Sequence, residues 1–232
     1  MILGKKNYRG HKVSPGGSCI WLFLVLRYSV PTRLTKEAAL MPAWKGIVNM
    51  SFTAANFNNY LATVKFLNWR PQFVVVHNTF IPKLADWHSV DGHKRMMSLQ
   101  AFYRDQQHWS AGPHLFVADD LIWAFTPLNT PGVHSPSWNA ISWGMEMVGD
   151  YSSEPFGDAV RQNAIAALAG LHRLAGLDPH TLRFHREDPL TTHKQCPGDN
   201  VVKPDLIQDV VSRMAADNPG EHTPGAAATA GS

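Results

Sequence analysis

Between Arg183 and Gly198 the chain reads RFHREDPLTTHKQCPG, which gathers His185, Glu187, Asp188, His193, Lys194 and Cys196 into one short segment stiffened by Pro189 and Pro197. Few loops concentrate so many groups able to lose a proton or hold a metal. Three of the chain's potential metal ligands stand out by context: His77 after the apolar run FVVV, His185 after LRF, and Cys196 immediately before Pro197 and Gly198. Two imidazoles and a thiolate suit zinc, and three protein ligands leave a fourth tetrahedral position open to water. The same loop also permits a different chemistry, with Cys196 as nucleophile and His185 or His193 as its base. Spacing does not separate them. These three residues are 108 and then 11 positions apart, and with 12 histidines in the chain a chance grouping is easy.

The elements that must position these groups are legible from periodicity. Residues 51–67 carry Phe52, Phe57, Leu61, Val64, Phe66 and Leu67 at spacings close to helical. Pro71 then breaks the pattern, and Phe73 to Val76 is a continuous apolar run of the kind found in strands buried on both faces, ending at His77. HKRMMSLQAFYRDQQHW predicts a second helix with Met96, Leu99, Phe102 and Tyr103 on one side. PHLFVADDLIWAF is a hairpin signal around Asp119 and Asp120.

ISWGMEMVG alternates strictly. Ile141, Trp143, Met145 and Met147 face one way, while Ser142, Gly144 and Glu146 face the other, so Glu146 is either solvent-facing or in a site. DAVRQNAIAALAGLHRLAG spaces Val160, Ala164, Ile165, Leu168, Leu171 and Leu174 as a buried helical stripe closed by Gly176. A last helix, 204–216, carries Leu206, Val210, Val211 and Met214. Strands interleaved with helices predict an α/β or α+β sheet with helices on its faces.

FVVVHNT, GPHLFVADDLIWAF, VHSPSWNAISWGMEMVGDY and FHREDPLTTHKQCPG, in that order over about residues 70 to 200, resemble the type 2 N-acetylmuramoyl-L-alanine amidases, a family that includes phage endolysins and animal peptidoglycan recognition proteins. The resemblance implies a single α/β zinc amidase domain, with a central mixed β-sheet flanked by helices. It makes His77, His185 and Cys196 the zinc ligands, Glu146 the group acting through water, and Lys194 the stabiliser of the transition state. His134 matches a substrate-side histidine, and Asn78 and His193 are expected as further substrate contacts. His193 also reads as a donor behind a ligand or as an exposed residue. Glu187 and Asp188 are expected to orient the loop or hydrogen-bond a ligating imidazole.

The chain departs from the family pattern at Asp119-Asp120-Leu121, where an Asp-Gly-type turn is common, and at FTPLNTPGV before His134. Those changes bear on stem-peptide preference. Trp87, Trp109, Trp123, Trp138 and Trp143 could line a groove, though most are expected in the core.

The implied reaction is hydrolysis of the amide between N-acetylmuramic acid and L-alanine in bacterial peptidoglycan, with a non-catalytic peptidoglycan-binding protein as the alternative. Bulk properties exclude other classes. With 232 residues, 44% hydrophobic and 17% charged, the chain suits one sizeable core, and a net charge of +3 without a Lys/Arg stripe gives no nucleic-acid footprint. Two cysteines, Cys19 and Cys196, describe a free thiol rather than a disulfide framework.

Near the N-terminus a basic stretch precedes CIWLFLVL, which is too short to span a membrane, so no stable membrane insertion is expected. The segment reads as a weak signal, as a disordered extension, or as sequence upstream of a start at Met41, the last two together being favoured. Residues 1–40 are therefore expected as an extension, 41–217 as the zinc amidase domain, and the Pro/Gly/Ala-rich 218–232 as a flexible tail. A monomer is expected, held in the producing cell's cytoplasm until released to the wall or periplasm, with secretion as the alternative.

Overall fold

The computed structural model describes residues 43–217; the expectations for the N-terminal extension, the Met41 start, Cys19 and the C-terminal tail lie outside the described residues. Its elements run β1 (Met50–Phe52), α1 (Ala54–Leu61), β2 (Phe73–Asn78), α2 (Leu84–Trp87), α3 (Gly92–Ala101), β3 (Leu115–Val117), β4 (Ile122–Ala124), β5 (Ser142–Met147), α4 (Asp158–Ala175), β6 (Arg183–Phe184) and α5 (Lys203–Asp217). The six strands form one mixed sheet in the order β1-β4-β3-β5-β2-β6. β1, β4 and β3 pair antiparallel, whereas β3–β5, β5–β2 and β2–β6 are parallel. This is the expected helix-flanked mixed sheet.

Alternation along the strands assigns each face. Val74 and Val76 of β2, Leu115 and Val117 of β3, and Trp143, Met145 and Met147 of β5 join α1, α4 and α5 in the main core. Full burial of such side chains contributes about 1.5–3 kcal/mol each, which makes this face the anchor of the sheet. On the opposite face Phe116, Trp123 and Phe125 pack with Trp87 and Met96 from α2 and α3. On that same face His77 of β2 and Glu146 of β5 lie in register and line a cleft.

Two local rules explain the main differences from the sequence expectation. The first helix starts later than 51 because Thr53 caps it, its side chain accepting from the Asn56 N–H, and residues 50–52 pair with β4 instead. The second helix stops at Ala101, and Phe102–Gln106 continues as a π-helical turn, a form often found at functional sites. That turn leaves Phe102 exposed and carries Tyr103 toward the cleft. Gly176 closes α4 as expected: it adopts φ +64°, and its N–H and that of Leu177 satisfy the last carbonyls. No helix among the described residues is long and apolar enough to cross a membrane.

Candidate metal centre and cleft

Strand register makes the first half of the site. β2 and β5 run parallel with His77 directly beside Glu146, so the last turns of two strands distant in sequence deliver an imidazole and a carboxylate to one spot. His77 Nδ1 lies 3.8 Å from Glu146 Oε1. The loop after β6 supplies the other half. β6 pairs with β2, which sets His185 beside His77 with ring centroids 4.3 Å apart. Cys196 arrives at the end of the same loop, across a cis Cys196–Pro197 bond, and its sulfur accepts the backbone N–H of Asn78 at 3.4 Å. One ligand-type atom from each of His77, His185 and Cys196 lies within 4.8 Å of the others.

The donor set fits a soft divalent cation. His77 has Nε2 engaged by His134 Nδ1 at 3.1 Å, and His185 has Nε2 engaged by Thr191 Oγ1 at 2.8 Å, so in each ring Nδ1 is the nitrogen left for a metal. Burial pushes both histidines down, His185 to about 4 and His77 well below its usual value, with the neighbouring imidazoles reinforcing the shift. Both are therefore neutral at pH 7, as a ligand requires. Burial also pushes the Cys196 thiol up, and nearby Glu146 adds to this. A bound cation is the group that reverses this, because it stabilises the thiolate directly. Glu146, 13% exposed, is raised by burial to about 8, so a proton is readily held on this carboxyl near neutrality.

Asp188 locks the loop. Its carboxylate, fully buried, accepts from Ser135 Oγ and Ser137 Oγ at 2.5 Å each and from the Ser137 and Leu190 N–H groups at 2.9 and 2.8 Å. Burial alone would raise this carboxyl, but the hydrogen bonds win and hold it at about 2. Glu187 accepts the Phe184 N–H and pairs with Lys203. Both acids thus orient the loop. The hydrogen-bond partner of a candidate ligand imidazole is instead Thr191, which nothing in the sequence pattern distinguished from its neighbour Thr192.

The remaining residues singled out by sequence line a cleft of about 980 Å³. Lys194 is exposed at its edge, with Nζ 3.5 Å from the Asp188 carbonyl. His193 stacks on His185 at 5.3 Å. Asn78 lines the same wall, but its side-chain amide donates to the Gly149 carbonyl. His134 has a different setting from a substrate contact: it is 6% exposed, and both ring nitrogens are engaged, one on His77 and the other 3.3 Å from the Ser142 carbonyl.

The opposite walls are apolar, Phe80–Ile81–Pro82 on one side and Leu99, Phe102, Tyr103 and Trp109 on the other. Tyr103, which reads in sequence as a core residue of a helical stripe, stacks on Trp109 at 5.2 Å. Of the tryptophans, Trp87, Trp123 and Trp143 are core. Only Trp109 of the five lines this cleft. The Asp119–Asp120 turn is held by Asn163, whose amide donates to the carbonyls of Ala118 and Asp119.

Residues 68–199 match the model of the N-acetylmuramoyl-L-alanine amidase family. Peptidoglycan-recognition protein LB of Drosophila melanogaster is 26% identical over 84 residues, 35% of this chain, and the match spans about a third (36%) of that relative's length. Among solved structures, a Drosophila PGRP-LB variant in complex with tracheal cytotoxin superposes with a TM-score of 0.51 at 19% identity, covering 72% of this chain and 88% of that one. The N-acetylmuramoyl-L-alanine amidase LysC from Clostridium intestinale URNW superposes with a TM-score of 0.50 at 22% identity, covering 64% and 95%. At these identities the structural matches speak to the fold. The family match covers more than half of the chain and contains every residue of the candidate metal centre, so this chain belongs to the N-acetylmuramoyl-L-alanine amidase family.

Proposed function

We propose that the protein is a zinc-dependent peptidoglycan amidase that hydrolyses the bond between the lactyl group of N-acetylmuramic acid and L-alanine of the stem peptide. The observation that carries this reading is the convergence of His77, His185 and Cys196 on one point at the floor of a cleft, with Glu146 beside His77 and Lys194 at the rim. Zinc held by those three residues would supply Lewis acidity and lower the pKa of water to about 7.

The chain's own groups then divide the work. Glu146, in its ionised form, receives the proton of the attacking water and delivers it to the departing amine nitrogen, a contribution of typically about 10² to 10⁴-fold. Lys194 places its ammonium at the oxygen that gains charge as the carbonyl carbon becomes tetrahedral. The apolar walls around Phe80 and Tyr103 restrict water and hold the substrate. We take His193 and Asn78 as substrate-side groups lining that path.

Digestion of purified peptidoglycan, followed by mass spectrometry of the fragments with and without chelator, tests bond and metal together. The expected products are stem peptides with new L-alanine N-termini, lost on chelation and restored by zinc. Activity that survives complete zinc removal would favour Cys196 acting as a nucleophile. Stoichiometric zinc with no cleavage would make the protein a peptidoglycan-binding module, a reading kept open by the match to a recognition protein.

A further inference from the structure

Behind His77 lies a buried polar chain that the proposed chemistry does not use. His134 is 6% exposed, and its Nε2 sits 3.3 Å from the Ser142 carbonyl oxygen, which can only accept. Nε2 of His134 therefore carries the hydrogen. In the neutral ring Nδ1 is then an acceptor, and the group 3.1 Å from it is Nε2 of His77, which must donate. With its hydrogen fixed on Nε2, His77 keeps a lone pair on Nδ1, the nitrogen on the Glu146 side.

The seat of His134 is equally specific. Its ring lies against the backbone of Gly144, where any Cβ would overlap the ring carbons. On its other side stands His114, whose Nδ1 accepts the Gly144 N–H at 3.0 Å while Nε2 donates to the Thr130 carbonyl at 3.0 Å, so the neighbouring histidine has no hydrogen to offer His134. The backbone N–H groups of His134 and Ser135 both donate to the Asn139 side-chain oxygen at 2.7 Å, which fixes the segment carrying the ring.

We propose that His134 is a positioning residue that sets the tautomer of His77 through a relay from His77 Nε2–H to His134 Nδ1 and from His134 Nε2–H to the Ser142 carbonyl, with Gly144 as its steric seat. The inference rests on reading His77 as a metal ligand, but it concerns a hydrogen position that exists without metal. Partners of this kind typically change metal affinity by about 10- to 100-fold when removed.

Two measurements test it. In metal-free wild-type protein, two-bond ¹H–¹⁵N correlation NMR of the histidine rings should find His77 and His134 both as Nε2–H tautomers. A predominant Nδ1–H form of His77 overturns the proposal, and this arm reports whether or not the protein later proves to bind zinc. In competition with a chromophoric chelator, His134→Ala and Gly144→Ala should each weaken zinc about 10- to 100-fold, and His134→Gln, whose amide oxygen can accept from His77, should recover part of the loss. A folded His134→Ala protein that binds zinc within twofold of wild type overturns it.

Discussion

At the scale of single residues, the site depends on groups whose ordinary chemistry has been shifted by burial. Glu146 is the clearest case, because desolvation raises its carboxyl to about 8 while His77 Nδ1 stands 3.8 Å away. Glu146→Gln keeps the shape and removes the ionisable proton. Turnover should fall about 10² to 10⁴-fold with zinc content unchanged, measured by metal analysis alongside release of L-alanine N-termini. Equal loss of zinc and activity would instead make Glu146 a determinant of metal binding. Much of this residue-level inventory was legible in the sequence: His77, His185, Cys196, Glu146 and Lys194 were all expected at the site, and the structure gathers them around one cleft. Thr191 and the positioning role of His134 were not, since a threonine in a polar loop and a histidine in VHSPSWN carry no periodic signal of what they face.

At the scale of elements, the loop carrying His185 and Cys196 is tied to a second loop through one buried carboxylate. Asp188 takes four hydrogen bonds from Ser135, Ser137 and Leu190, which hold its carboxyl at about 2. A group whose folded pKa lies below its unfolded value of about 3.9 adds stability above that value and loses it as pH falls toward 2. Asp188→Asn should therefore cost about 2 kcal/mol at pH 7, and the difference from wild type should shrink between pH 4 and pH 2, as followed by urea unfolding. A difference that stays constant over that range would mean the substitution acts through packing. Element boundaries were less legible than element types. Thr53 turned an expected helical start into a strand and a cap, and the π-helical turn at 102–106 redirected Phe102 and Tyr103 from a helical stripe into the cleft wall. Both outcomes depend on partners, β4 in the first case and Trp109 in the second, that lie outside the periodic window.

At the scale of the whole molecule, folding encloses a histidine that must stay neutral. His114 is fully buried, and burial followed by the neighbouring His134 lowers it to about 3 against the opposing hydrogen bond to Thr130. A histidine with a folded pKa below its unfolded value of about 6.5 contributes stability above 6.5 and loses it as pH falls toward 3. The thermal midpoint should decline from about pH 6.5 downward, and His114→Gln should flatten that decline; an unchanged pH profile would assign the acid sensitivity elsewhere. On the proposed reading, metal would act on the same equilibrium from the other side. Free zinc at 100 times its Kd should stabilise the folded state by about 2.7 kcal/mol, raising the midpoint in wild type and leaving Cys196→Ser nearly unmoved.

The sequence alone determined the kinds of the longer elements, the buried faces of β5, α4 and α5, and the side chains capable of holding a metal, because those follow from local periodicity and residue chemistry. It also carried the family motifs. Only the tertiary structure decided which groups meet. The parallel register of β2 on β5 places His77 against Glu146, and the pairing of β6 with β2 brings His185 and then Cys196 to the same point. Register between strands distant in the chain is set by the combined packing of both sheet faces, and a slip of one residue would turn His77 and Glu146 to opposite sides. The nitrogen that each imidazole leaves free was likewise decided in three dimensions, because it is set by which ring nitrogen the neighbouring group engages: Nε2 of His77 by His134 and Nε2 of His185 by Thr191.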